Sequence, residues 1–157
     1  MLKRAESSDG DVCFICASPV IYNAIAPCGH RTCHLCATRL RALYCHRNCP
    51  HCRTVTEYVI FSADRSRLYA DFTPAEIVKT DENLGIKFAS EQIYEGVVDT
   101  LRFNCASREC DYVAKGWYDL RGHVKRVHQR YLCDLCVSFK KVFAHEQSCE
   151  LWGGHAR

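Results

Sequence analysis

The spacing of cysteine and histidine between residues 13 and 53 constrains this chain more than anything else in it. Cys13 with Cys16, Cys28 with His30, Cys33 with Cys36, and Cys49 with Cys52 form four pairs of soft ligands. Zinc takes four such ligands in a tetrahedron, and a two-residue gap lets two thiolates reach one ion from a single tight turn. Four pairs therefore predict two zinc ions. A disulfide-stapled domain is the competing reading of so many cysteines, but four pairs in register, three of them with the two-residue gap, favour metal.

The rest of the composition agrees. The chain has 157 residues, and its 48% hydrophobic fraction includes 13 cysteines, so the aliphatic and aromatic core is leaner than that figure suggests. Small units with lean cores need staples. The cysteine count is odd, and the opening stretch MLKRAESSDGD is polar, so neither a secretory leader nor a membrane span is expected. A reducing compartment, where thiolates stay available for zinc, is the expected location. The net charge of +3 is modest, but basic residues cluster, as at Arg121, Lys125, Arg126 and Arg130. Such clusters are either a solvated face or a contact with phosphate.

Residues 1–11 read as disordered. Within the ligand region, Leu40 and Leu43 in the stretch Ala37–Tyr44 have the spacing of one helical face. Beyond it, TVTEYVIF reads as a strand, RLYADF as a returning strand, and Thr73-Pro74-Ala75-Glu76 as the capped start of a brief helix. Residues 81–85 read as a loop and Ile86–Phe88 as a short strand. A longer helix is predicted from Ser90, with Ile93, Val97 and Leu101 on one face. Residues 54–104 thus form an α+β connector, patterned too regularly for a flexible tether.

A second metal unit follows. Cys105, Cys110, His123 and His128 have C2H2 zinc-finger spacing, with Phe103, Leu120 and Trp117 placed to build its small core. Beyond it, Cys133 and Cys136 open a further knuckle, for which His145, Cys149 and His155 are available closing ligands at non-standard spacings; the preferred set is Cys133, Cys136, His145 and Cys149. At least three zinc ions, or four if this set closes, are expected per chain. Cys45, His34, His46 and His51 lie among the ligands but off their register, and surface or structural roles are expected for them.

The order of ligands in residues 12–53, C3HC4, resembles a RING domain. The resemblance implies a cross-brace in which pairs one and three (Cys13, Cys16, Cys33, Cys36) hold one zinc and pairs two and four (Cys28, His30, Cys49, Cys52) the other. It also implies ubiquitin-ligase activity without a covalent intermediate, and hence no catalytic nucleophile in this chain. Ile15 and Pro50 match the family's docking positions for the conjugating enzyme (E2), Leu40 completes the groove, and Arg53 matches the cation that bridges E2 and ubiquitin.

In the finger, the helix positions that usually read bases fall on Gly116, Asp119 and Gly122. Two glycines cannot reach a base edge and an aspartate repels phosphate, so sequence-specific DNA binding is not expected. Lys125, Arg126 and Arg130 suit contact with a phosphate backbone or a protein instead. The segments CATRLRALYCHRNCPHCR, VKTDENLGIKF, LRFNCASRECDYVAKGWYDLRGHVKRVH and YLCDLCVSFKKVFAHE together resemble the ribosome-collision-sensing RING ligases of ribosome-associated quality control, fungal members in particular. The stretch KTDENLGI carries extra weight, because no zinc site demands it.

That resemblance implies a cytoplasmic ligase acting on small-subunit ribosomal proteins, with E2, ubiquitin, the small subunit and its rRNA as partners and no membrane. Family members continue beyond the second CxxC into further fingers, so an incomplete last finger is expected here. The expected architecture is a small zinc-stabilised α+β chain: RING (12–53), connector (54–104), C2H2 finger (105–130), then a partial or atypical finger and tail (131–157). Two rivals use the same residues: a nucleic-acid-binding zinc-finger regulator, and a non-catalytic adaptor with the RING as a scaffold.

Overall fold

The computed structural model describes residues 12–147 and the backbone of 149–151. The described residues form two compact units that divide between Tyr94 and Glu95.

The first unit is built on a five-stranded sheet. Its strands are β1 (Asn23–Ile25), β2 (Arg31–Cys33), β3 (Val59–Ser62), β4 (Lys79–Asp81) and β5 (Ile86–Phe88), in the order β2-β1-β3-β5-β4. β3 pairs antiparallel with β1 and parallel with β5. As the central strand it is buried along its whole length. The sheet therefore runs straight through residue 53, where the sequence suggested a division. TVTEYVIF reads as a strand from composition alone, but only the fold reveals that its partner is the hairpin carrying the zinc ligands. Phe61 and Phe88 meet edge to face at 5.6 Å in the interior of this unit.

Helix α1 (His34–Ala42) follows β2 directly, three residues earlier than hydrophobic spacing suggested. The reason lies in Cys33, which serves as N-cap: its sulfur accepts the Cys36 N–H at 3.3 Å. RLYADF is not a strand. It closes into a single 3-10 turn at Tyr69–Asp71, because the Asp71 carboxylate accepts the Leu68 N–H at 2.7 Å. The helix start at Thr73 likewise stops after one 3-10 turn, Pro74–Glu76, where Glu76 accepts the Thr73 N–H at 2.8 Å. Local carboxylate-to-backbone bonds of this kind compete with regular structure. Helix α2 (Glu91–Leu101) forms as its periodicity predicts, with Ile93 and Val97 buried one turn apart.

One interaction ties the connector to the ligand region. Arg41, on α1, is buried, and among the described residues its guanidinium has no carboxylate partner. It donates to the carbonyls of Glu57 (3.1 Å), Leu84 (2.8 Å), Gly85 (3.1 Å) and Thr56 (2.7 Å), and to the Thr56 hydroxyl (3.0 Å). Burial, then the nearby charge of Arg47, lowers its pKa to about 10, so it stays charged at neutral pH. Arg47 adds a bond to the Asn83 carbonyl at 2.7 Å. The β4–β5 turn inside KTDENLGI thus presents its carbonyls to two arginines of the ligand region, an account of that stretch which zinc alone did not provide. Gly85 sits at φ +66°, where a Cβ would collide with the Glu57 carbonyl and lie 2.7 Å from Arg41 Nη1.

The second unit contains a two-stranded hairpin, β6 (Phe103–Asn104) and β7 (Val113–Ala114), followed by α3 (Trp117–His128). β8 (Arg130–Leu132), α4 (Asp134–Phe139) and β9 (Cys149–Leu151) complete it, with β9 antiparallel to β8. Leu120 and Val124 of α3 share one core with Leu132 and Ala144, and Phe103 and Trp117 pack against it. The described residues after 130 are therefore folded onto the finger. Among the described residues, no helix is long and apolar enough to cross a membrane.

Candidate metal centres and docking face

Two knuckles of the first unit are built alike. In one, the Cys13 N–H bonds to the Ser18 carbonyl (2.9 Å) and the Ala17 N–H to that of Cys13 (2.8 Å). In the other, the Cys49 N–H bonds to the Thr54 carbonyl (2.8 Å) and the Arg53 N–H to that of Cys49 (2.8 Å). Bridges Val12–Pro19 and Asn48–Val55 close them at matching positions. Ala17 (φ 55°) and Arg53 (φ 61°), each next after its pair's second cysteine, hold left-handed backbone, which turns the chain back across the sulfurs.

The β1–β2 hairpin supplies ligands to both clusters. Cys28 and His30 lie in its turn, where Gly29 has φ +81°, and Cys33 ends β2. Three groups of four ligand atoms result, each within 4.8 Å of one another: Cys13, Cys16, Cys33, Cys36; Cys28, His30, Cys49, Cys52; and Cys105, Cys110, His123, His128. The first two interleave along the chain.

Donor chemistry and spacing fit zinc. Around a tetrahedral ion two sulfurs stand roughly 3.8 Å apart, and a sulfur and an imidazole nitrogen roughly 3.5 Å. Cys16 Sγ lies 3.8 Å from Cys33 Sγ. His30 turns Nδ1 toward Cys28 Sγ at 3.4 Å. In the finger, His123 and His128 present Nε2 at 3.2 Å from Cys110 Sγ and 3.4 Å from Cys105 Sγ.

The sulfurs differ in their surroundings. Burial would raise the Cys13 thiol, but the backbone N–H groups of Cys33, Cys16 and Ile15 outweigh it and bring it to about 6. The Thr54 hydroxyl and N–H lower Cys52 to about 6. Burial pushes Cys33 up to about 11 and raises Cys36 as well. Backbone donors at Cys13, and the Thr54 hydroxyl and N–H at Cys52, thus favour thiolate at two knuckle positions, and zinc binding must displace protons from the buried pair.

Neighbouring side chains hold the ligands, among them Tyr112 and Phe14, which the sequence reading did not single out, and His51, for which it expected a surface or structural role. Tyr112 stacks on His123 at 3.9 Å and donates its hydroxyl to Asp119 at 2.9 Å. Asp119 also accepts the Lys115 N–H at 3.0 Å, so this potential base-reading position is engaged within the finger. His51 stacks on His30 at 4.8 Å and meets Phe14 at 3.8 Å. Ring-to-ring contact across knuckles leaves no periodic signal in sequence. His34 is enclosed by Tyr22 and Phe61, and burial lowers its pKa.

The remaining site residues fall as follows. Ile15 is 43% exposed on the first knuckle, and Pro50 and Arg53 are exposed on the last. Leu40 and Pro50 line one cleft together with Ala37, His46 and Asn48. Lys125, Arg126 and Arg130 are exposed at the end of α3 and the start of β8. Arg121 is occupied by Asp134 at 2.7 Å. Cys133 and Cys136 flank the first turn of α4, but His145 does not join them in a ligand group among the described residues. His145 instead stacks on Phe143 at 5.9 Å, and the side chain of Cys149, like His155, lies outside the described residues.

Two interleaved four-ligand clusters fed by one hairpin define a cross-brace RING finger, here followed by a C2H2 zinc finger. The family described as the ZNF598 RING finger domain matches residues 8–98, and the chain belongs to that family. The E3 ubiquitin-protein ligase hel2 of Schizosaccharomyces pombe is 42% identical over 93% of this chain, which covers 20% of that protein. HEL2 of Saccharomyces cerevisiae, also named an E3 ubiquitin-protein ligase, is 33% identical over 91% of the chain and 22% of its own length. Human ZNF598 is 27% identical over 86% of the chain and 15% of its own. The chain thus spans about a fifth of the length of these fungal relatives. No solved structure matches it.

Proposed function

We propose that this chain is the E2-recruiting, zinc-dependent part of a RING-type E3 ubiquitin ligase. One observation carries the reading: Ile15 and Pro50 stand exposed on two matched knuckles, Leu40 shares a cleft with Pro50, and the exposed Arg53 follows the last ligand. These are the positions through which a RING would engage a conjugating enzyme and its ubiquitin.

No nucleophile is required of the chain itself. A substrate lysine amine attacks the thioester carbonyl of charged E2, and the E2 cysteine leaves as thiolate. The ligase contributes position, holding thioester and ubiquitin tail in a reactive geometry. Arg53 suits the bridging role because a guanidinium offers a planar fork of donors to two surfaces at once.

The test is discharge of ubiquitin from a panel of charged E2 enzymes onto free lysine. Wild type is expected to accelerate it with at least one E2. Ile15→Ala is expected to weaken E2 affinity roughly tenfold or more, as truncating a central interface anchor does, without loss of zinc. No acceleration with any E2, or an Ile15→Ala chain that behaves as wild type, would sink the reading.

The finer reading places this activity in the cytoplasm on stalled or collided ribosomes, with small-subunit proteins as substrates and rRNA within reach of the finger. It is supported by the family and by the exposed bases Lys125, Arg126 and Arg130, which offer phosphate contacts without base readout. Recovery of small subunits with this chain from lysate, with and without induced collisions, tests it; equal recovery by a chain with these three residues reversed to glutamate would overturn the assigned contact.

A further inference from the structure

The two knuckles that carry the docking residues belong to different zinc clusters. Neither cluster alone fixes the distance between Ile15, on the first knuckle, and Pro50, on the last. The β1–β2 hairpin couples the clusters through their other ligands, and the tips themselves also meet. Phe14, between Cys13 and Ile15, and His51, between Pro50 and Cys52, meet with ring centroids 3.8 Å apart and planes tilted by 38°. His51 in turn stacks on the zinc ligand His30 at 4.8 Å and 15°, and its Nε2 lies 3.3 Å from the Arg31 carbonyl. The three rings are in continuous contact, one tilted pair and one stacked pair, from the tip of one knuckle to the ligand set of the other.

Phe14 remains 53% exposed, so its burial in a core cannot explain the contact. Neither ring is a metal ligand, and neither is required by the ligand spacing.

We propose that Phe14 and His51 are positioning residues, an aromatic clamp that sets the separation of the two knuckles and so presents Ile15 and Pro50 as one E2-docking surface. The assignment rests on the ligase reading for its consequence, but not for the clamp itself. An aromatic pair contributes about 0.5–1.5 kcal/mol beyond its area, which corresponds to a change of roughly two- to tenfold in an equilibrium constant.

The experiment uses the full zinc-loaded chain in four forms beside wild type: Phe14→Ala, His51→Ala, the double variant, and His51→Phe. In lysine-discharge kinetics, each alanine variant is expected to raise the KM for charged E2 roughly two- to tenfold, with kcat at saturating E2 and zinc content unchanged. The double variant is expected to be no worse than the more affected single variant, because both remove one contact. His51→Phe, which keeps a ring in the stack, is expected to restore KM. Additive effects would mean that each ring touches E2 separately, and would overturn the clamp. So would an unchanged KM, a His51→Phe chain as impaired as His51→Ala, or zinc loss in parallel with activity.

Backbone amide exchange at residues 14–18 and 50–54 separates this failure from failure of the ligase reading. If wild type discharges no E2 but exchange at both knuckles rises in both alanine variants, the clamp stands and the ligase reading falls. Unchanged exchange overturns the clamp whatever the activity.

Discussion

Replacing Cys36 with alanine is expected to remove two zinc ions, not one. Cys36 ligates only the first cluster, with Cys13, Cys16 and Cys33. Yet Cys33 ends β2, and Cys28 and His30 lie in the turn of the same hairpin. Freeing one end of a hairpin three residues per strand wide frees its turn as well. Metal analysis is expected to fall from three ions per chain to one, the survivor being held by Cys105, Cys110, His123 and His128. Structural zinc supplies on the order of 10 kcal/mol or more of folding free energy in small domains, so the cooperative unfolding transition of the first unit is expected to vanish. The finger's α3 should persist in the amide spectrum. A stoichiometry of two, with the first unit still folded, would show that the clusters are independent.

The second large effect is expected at Arg41. Its guanidinium satisfies four backbone carbonyls and one hydroxyl within the first unit. Arg41→Met keeps much of the volume and withdraws the guanidinium from those oxygens, of which the Gly85 carbonyl keeps a second donor, the Val59 N–H at 3.0 Å, at about 1–3 kcal/mol for each acceptor that stays dry. A net loss of roughly 3 kcal/mol or more is expected, read as a lowered midpoint in denaturant at constant zinc content. Arg41→Lys is expected to recover only part of it, since one ammonium has three donors and no planar fork. Gly85→Ala attacks the same cage from the other side, through its left-handed backbone and the space taken by a Cβ. Combined with Arg41→Met it should cost less than the sum, because the two changes share partners. Full additivity would refute the cage as one unit.

These two expectations differ in how far the sequence foretold them. The ligand pairs are local, and a two-residue gap between cysteines has one ready chemical meaning, so Cys13 to Cys52 could be read directly. The interleaving of pairs is not local, and came from resemblance to a RING. The Arg41 cage left no such trace: its acceptors are main-chain carbonyls at positions 56–57 and 84–85, which any side chain could accompany. KTDENLGI stood out only as a stretch that zinc did not need.

The sequence also suggested a strand at RLYADF and a division at residue 53. The strand-favouring composition of Leu68, Tyr69 and Phe72 hid the Asp71 carboxylate, whose bond to Leu68 closes a turn instead. The second expectation missed the pairing of β3 with β1, because pairing partners are a property of topology and not of either segment.

The left-handed backbone at Arg53 has a practical consequence. Most side chains cost about 1 kcal/mol in that conformation and glycine costs little, so the arginine there works against the local stability of the knuckle. Arg53→Gly should relax the turn and leave the folded state as stable as wild type or slightly more so, while deleting the proposed bridge to ubiquitin. The variant would be a sound E2-binding module that no longer hastens transfer. Activity and stability, which every zinc-ligand substitution confounds, would come apart at this single residue.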